Sequence, residues 1–363
     1  MSTSFTDPAP RALRLELAFE AGLALPDATL SDGGTIAVFH PRAGEFLSPL
    51  PQERVQIITP HAMDHAAFAA QGYACVQAAT GPYAAALVCL PRSRAEGRDL
   101  LAQAAALTQG PVIVDGQKTD GAEATLRELR DRVDLSEVIS KGHGKIAWFQ
   151  SPGDTLGDWR AVAGEAQGDG VRYRTLPGLF SADGIDPASA LLAGALPAGL
   201  KGQVADLGAG WGYLSAQMLA KAPGIAALHL VESDARALDC ARLNVTDPRA
   251  IFHWADATEP LPRLPLDAVI MNPPFHQGRE ARPQLGAAFI RTAALMLKPS
   301  GQLFLVANRH LPYETAIAAH FRKHEELDGA PGFKIIRAEG PVRADANKRS
   351  GSARATPAKG RRA

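Results

Sequence analysis

Two consecutive α/β domains, the first on an open sheet and the second on a parallel one, are what the sequence predicts. Three observations lead there. Short apolar runs of strand length alternate with helical stretches through both halves of the chain. A length of 363 residues suffices for two cores. Between Ser151 and Gly170 the composition shifts to Gly, Asp and Ala, as at a boundary. The expected division is 1–155, 165–342 and a tail over 343–363.

In the first half, an amphipathic helix from Ala12 to Gly22 precedes strands at Thr35–Phe39, Val55–Ile58, Ala84–Leu90, Pro111–Asp115 and Lys145–Phe149. None of their turns carries a glycine-rich loop opening a helix. Asp115–Gly121 comes nearest, and its spacing matches no nucleotide fingerprint. This half reads as a scaffold or RNA-gripping domain without a cofactor. The second half places strands at Gln203–Leu207, Ala227–Val231, Ala250–His253, Ala268–Met271 and Gly301–Ala307, joined by helices such as Leu214–Lys221 and Ala235–Asn244. Short apolar strands joined by helices imply a parallel sheet covered on both faces.

Composition excludes several classes. Lys plus Arg equals Asp plus Glu at 38 each, so global charge announces no nucleic-acid partner. The tail after Val342 is the exception: nearly free of large apolar side chains and rich in cations, it reads as disordered and suited to attracting phosphate, with a merely solvated end as the alternative. The three cysteines, Cys75, Cys89 and Cys240, form no Cys-x-x-Cys pair, so neither a disulfide framework nor a metal site is expected. No apolar run reaches the roughly 18 residues of a membrane span. The first eight residues lack the basic start and apolar core of a secretory signal, making the expected address cytoplasmic.

The cofactor signal is Asp206-Leu-Gly-Ala-Gly-Trp-Gly212, which follows a strand and precedes a helix. Its Gly208 and Gly210 let backbone approach a ligand, and the Gly-x-Gly-x-Gly spacing departs from the dinucleotide pattern. Glu232 closes the next strand, where a carboxylate accepts ribose hydroxyls in either NAD or S-adenosylmethionine sites. Asp256, at the third strand end, separates the two by offering an acceptor to an adenine amino group. Asp206 is then expected near a methionine ammonium.

The catalytic signal is Asn272-Pro-Pro-Phe275 at the end of the fourth strand. An amide oxygen and the Pro273 carbonyl stand side by side there, and proline contributes no competing N–H. Together they would hold a planar exocyclic amine in line with a sulfonium methyl, with Phe275 stacking on the attached ring. Asn272 thereby borders both substrate and cofactor. No Ser-His-Asp set, P-loop or metal-spaced His cluster competes.

These residues resemble the class I S-adenosylmethionine-dependent methyltransferases, and more narrowly the RsmC/RlmG group of ribosomal RNA guanine 2-amino methyltransferases. The likeness is carried by Asn272–His276 with Gly278, by Thr175-Leu-Pro-Gly-Leu-Phe-Ser-Ala-Asp-Gly-Ile-Asp186, and by Leu305-Val-Ala-Asn-Arg-His-Leu-Pro-Tyr313. It covers Tyr173 to Arg337, with Phe333–Arg337 as the family's last strand. It implies a Rossmann-like catalytic domain with a seven-stranded, mostly parallel sheet, preceded by a degenerate methyltransferase-like copy. It further implies S-adenosylmethionine as cofactor, ribosomal RNA or a ribosomal subunit as partner, and a lid over the cofactor from Phe180 to Asp186. Trp211 in the glycine loop and the basic tail depart from the family pattern. Two other readings remain open on the residues: a methyltransferase for protein glutamine or nucleic-acid adenine, and an inactive RNA-binding assembly factor.

Overall fold

Apolar runs and their turns build the same topology twice. The computed structural model describes residues 10–27, 34–168, 170–274, 276–277, 280–281 and 283–342; Phe275, Gly278 and the 343–363 tail fall outside them. The first unit runs α1 (Pro10–Glu20), β1 (Ile36–Phe39), β2 (Val55–Ile58), α2 (Ala62–Ala70), β3 (Ala74–Val76), β4 (Ala85–Cys89), α3 (Arg94–Leu107), β5 (Pro111–Gln117), α4 (Ala122–Arg130), β6 (Ile139–Lys141) and β7 (Gly144–Gln150). A hairpin of β8 (Gly164–Gly168) and β9 (Val171–Thr175) follows. The second unit runs α5 (Pro187–Ala195), β10 (Gly202–Leu207), α6 (Tyr213–Lys221), β11 (Ile225–Glu232), α7 (Ala235–Asn244), β12 (Ala250–Trp254) and β13 (Leu266–Met271). It continues through a small hairpin, β14 (His276–Gln277) and β15 (Glu280–Ala281), to α8 (Pro283–Met296), β16 (Leu297–Asn308), α9 (Tyr313–His320), β17 (Phe321–Ala330) and β18 (Phe333–Pro341).

The sheet orders are β3-β2-β1-β4-β5-β7-β6 and β12-β11-β10-β13-β16-β18-β17. Counted within each unit, both read 3-2-1-4-5-7-6, with five parallel strands and an antiparallel pair at one edge. Order reverses beside the first strand of each sheet, and crevices for ligands open at such switch points.

Period-two alternation explains the layering of the second sheet. Val204, Leu228, Ile270 and Phe304 enter one core, whereas Ala205, Val231, Val269 and Leu305 enter the core on the other face. Each sheet is thus the middle of a three-layer sandwich.

Beside the switch point of the first unit, β5 carries a buried ion cluster with α1. Buried Asp115 accepts from Arg11 Nε at 2.6 Å and from Arg14 Nε at 2.5 Å, and Arg11 also pairs with Glu45. Arg14 passes so close to Gly144 that a Cβ there would lie 2.5 Å from its Nη1. The shared carboxylate belongs to β5, where Asp115 pairs with Cys89 of β4 and Ile146 of β7.

Candidate functional site

Register assembles the site at the carboxyl edge of the second sheet. Leu207 pairs with both Met271 and Val231, so the next residues along, Gly208, Asn272 and Glu232, emerge side by side. Glu232 pairs with Trp254, which sets Asp256 two residues past the adjacent strand position. Gly208, Gly210, Glu232, Asp256, Asn272 and Pro273 line one cavity of about 320 Å³, a volume in the range of small-molecule sites. A contiguous cleft shares Gly208, Gly210 and Asn272 with it and adds Asp186, Ser189 and Asp206.

The three loop glycines are needed for three different reasons. All have left-handed backbones, with φ of +77°, +55° and +91° at Gly208, Gly210 and Gly212. A Cβ on Gly208 would lie 3.2 Å from the Phe289 ring, and one on Gly212 would lie 2.8 Å from Val245 Cγ2. A Cβ on Gly210 would meet no protein atom within 4 Å. It would point into open space beside the cavity.

Asp206 is nearly sealed at 1% exposure, and Ser215 Oγ donates to its Oδ2 at 2.7 Å. Burial pushes its pKa up to about 7, with the neighbouring Glu232 charge adding to the effect and the Ser215 hydrogen bond opposing it. Glu232 is also raised by burial, against donors from the Asp234 and Gly210 amides, each at 2.8 Å. Its carboxylate therefore clamps the glycine loop while facing the cavity. Asp256 Oδ1 accepts from the Thr258 amide and hydroxyl at 2.8 and 2.7 Å. No donor among the described residues reaches its Oδ2.

Asn272 is fixed by residues that its own motif does not contain. Its Nδ2 donates to Asp186 Oδ2 at 2.8 Å and to Ser189 Oγ at 2.9 Å. A carboxylate only accepts, so the amide nitrogen must face it and the amide orientation is determined. Both hydrogens are committed, and Oδ1 has no donor among the described residues. The same Asp186 caps α5, accepting from the Ser189 amide at 2.7 Å, with Pro187 at the first helical position.

The segment before α5 contributes Phe180 and Ser181 to the lining of the site. Phe180 is 61% exposed and lines both hollows. Its carbonyl accepts from Trp211 Nε1 at 2.9 Å, so the tryptophan of the glycine loop tethers this segment. The Thr175 hydroxyl holds the Ala182 carbonyl at 2.8 Å, and Ser181 sits at φ +52°. Much of the Leu305–Tyr313 motif serves packing: Lys334, buried, donates to the Leu311 carbonyl, and Arg309 donates to the Phe333 carbonyl.

Asp206, Gly208, Gly210, Glu232, Asp256, Asn272 and Pro273 thus converge on one crevice, and Phe275 lies outside the described residues. Sequence reading missed three contributors. The Asp186-Pro-x-Ser189 capping pattern signals a helix start but not its hold on Asn272. Ser215 offered only its place in the helix after the loop, and Met63, which reaches the cavity from the first unit, offered nothing.

Residues 170–337 match the family described as methyltransferase small domain. A Pseudomonas aeruginosa (strain LESB58) protein named ribosomal RNA small subunit methyltransferase C is 34% identical over 276 residues, covering 72% of this chain and 81% of that one. Its namesake from Salmonella newport (strain SL254) is 32% identical over 234 residues, 62% of this chain and 66% of that protein, so the match spans just under two thirds of its length. Among solved structures, the T. thermophilus 16S rRNA N2 methyltransferase (RsmC) in complex with AdoMet and guanosine aligns with a TM-score of 0.73 at 27% identity, over 92% of this chain and 94% of that one.

Proposed function

Because the chain belongs to the ribosomal RNA small subunit methyltransferase C family, we propose that it transfers a methyl group from S-adenosylmethionine to the 2-amino group of a guanine in 16S ribosomal RNA. The observation that carries this reading is the Asn272 amide, held by Asp186 and Ser189 with its oxygen unclaimed at a cavity lined by Gly210, Glu232 and Asp256.

The residues present fit the cofactor. The space above Gly210 admits a ligand against bare backbone, and the free Asp256 Oδ2 suits an adenine amino group. Glu232 spends about three of its four acceptor positions on Gly210, Asp234 and Ser233, leaving room for a ribose hydroxyl. Asp206 in its ionised form would balance the methionine ammonium. The N-terminus of α6 has no side-chain cap and suits a carboxylate.

S-adenosylmethionine supplies, when bound, a methyl made electrophilic by the sulfonium charge. The protein's part is orientation. Asn272 Oδ1 and the Pro273 carbonyl accept the two hydrogens of a planar amine and aim its lone pair at the methyl position. As positive charge develops on nitrogen, both contacts strengthen, so they favour the transition state over the ground state. Exposed Phe180 offers a face to the base, the role the motif also assigns to Phe275. The proton leaves to water afterwards.

The partner is ribosomal RNA or a partly assembled small subunit, and the site of action is the cytoplasm; among the described residues no helix is long and apolar enough to cross a membrane. The catalytic domain is taken as 165–342, the first domain as 1–155 and the basic tail as 343–363. The test is methyl transfer to 16S RNA or small subunits from a strain lacking the gene, with the product nucleoside read by mass spectrometry. Asn272→Ala is expected to keep cofactor affinity and lose turnover. Retained turnover, or a product other than a 2-amino-methylated guanine, overturns the assignment.

A further inference from the structure

One wall of the 320 Å³ cavity comes from the other domain. Met63, the second residue of α2, shares that lining with Leu285, Phe289, Glu232, Ser233 and Asp256. It is 39% exposed, so its side chain remains open to a ligand in the cavity.

Its placement is not incidental contact. The Pro60–Ala62 segment docks on the turn that follows Glu232 in a short antiparallel bridge between His61 and Asp234. The Ala62 amide donates to the Ser233 carbonyl at 2.8 Å, and the Ala235 amide donates to the Pro60 carbonyl at 2.9 Å. Trp254 Nε1 forks between the Pro60 and Ser233 carbonyls at 2.8 and 2.9 Å, and His65 meets the Trp254 ring edge-on at 5.1 Å. Arg236 completes the junction, joining Asp234 to Glu96 of α3. Ser233 adjoins one site carboxylate and Trp254 lies two residues before the other. The turns that aim Glu232 and Asp256 are therefore the turns on which the first domain docks.

We infer that the first domain is a component of the cofactor site, with Met63 as a specificity-determining wall of its nucleoside end. This rests on the cofactor reading above. The chemistry of the slot is that of a flat heteroaromatic group: apolar Met63, Ala257, Leu285 and Phe289 around it, carboxylates at its edge, and a polarisable thioether for its π face.

The experiment is calorimetric titration of the full chain with S-adenosylhomocysteine and with adenosine. Met63→Ala is expected to raise Kd for both ligands about tenfold, the scale of losing a partly buried thioether. Met63→Asp, which adds a carboxylate beside Glu232 and Asp256, is expected to raise it further, and Met63→Leu to restore it. Far-UV circular dichroism on each variant separates lost contact from lost fold. If the parent binds S-adenosylhomocysteine and Met63→Ala and Met63→Asp bind it equally well, the composite site is overturned while the cofactor reading stands. If the parent binds neither ligand, the cofactor reading falls and this inference with it.

Discussion

Asp186 accepts a hydrogen bond from the Asn272 amide nitrogen at 2.8 Å across 86 residues of sequence, with the oxygen that does so also capping α5. The start of one helix therefore decides which way the acceptor at the sheet edge points. Without that carboxylate the amide is free to turn, and a nitrogen facing the substrate amine would repel rather than hold it.

Asp186→Ala is accordingly expected to lower the methyl-transfer rate about 10²-fold, as misplacement of a positioned acceptor does. The lost cap costs about 1 kcal/mol of stability. Single-turnover kinetics at saturating cofactor read the first effect, and denaturant titration reads the second. Asp186→Asn, which keeps one acceptor oxygen, should recover part of the rate; a full rate in the alanine variant would show that the amide needs no orienting partner.

Gly210 and Gly212, two residues apart in the same loop, should fail in different assays. Gly210→Ala places a Cβ where no protein atom stands within 4 Å, so its loss falls on ligand affinity, with about 1 kcal/mol of left-handed backbone strain. Gly212→Ala places one 2.8 Å from Val245 Cγ2 and should cost roughly 2–4 kcal/mol of stability through overpacking and strain. Paired measurements of Kd and unfolding free energy distinguish them, and identical profiles would contradict the division.

How much of this was readable from the sequence follows from where each element sits. β10, β11 and β13 are central parallel strands, and burial on both faces writes them as continuous apolar runs. β17 begins Phe-Arg-Lys-His-Glu-Glu because it is the sheet's edge strand, so an apolar-run reading passes over it. The three-residue strands β3 and β6 are also edges, and β8–β9 pair only with each other in a stretch whose composition suggested a linker. In the site, the acids and Asn272 were visible because strand ends are local features. The Asp186 contact and the Met63 wall were not, since they depend on long-range closure and on docking between domains.

Asp206 yields a pH prediction whose sign follows from its raised pKa. Burial holds it near 7, above the ordinary aspartate value, so the folded chain keeps a proton that the unfolded chain has released. Its contribution to stability is full below the unfolded value and declines as pH rises toward about 7, by roughly 4 kcal/mol in all. Ligand binding runs the other way. If the ionised carboxylate pairs with the methionine ammonium, affinity for S-adenosylmethionine should rise about tenfold per pH unit up to near 7 and then level off. Ser215→Ala, by removing the hydrogen bond that opposes the shift, should move the break to higher pH. A flat profile between pH 5.5 and 8.5, scanned by about one unit at a time, would remove Asp206 from the pairing.

The junction between the domains supplies the last test, because one arginine holds acids from both. Arg236 donates to Glu96 at 2.6 Å and to Asp234 at 2.7 Å, and Glu96, only 8% exposed, also lies 3.4 Å from His40 Nδ1. Burial works against the Glu96 charge, yet His40 and Arg236 together hold its pKa below the usual range. Arg236→Met removes the cation and leaves both carboxylates facing one another at the domain boundary. The expected cost is roughly 2–4 kcal/mol, below that of a fully sealed pair because the guanidinium keeps some solvent. Adding Glu96→Gln should return part of it, since the uncompensated charge rather than the missing bond carries most of the penalty. Both variants can be followed by thermal unfolding with and without S-adenosylhomocysteine. Because Asp234 shares its turn with Ser233, ligand protection should shrink in Arg236→Met by more than the loss of stability alone explains; equal protection would mean that the domain junction and the carboxylate turn are energetically separate.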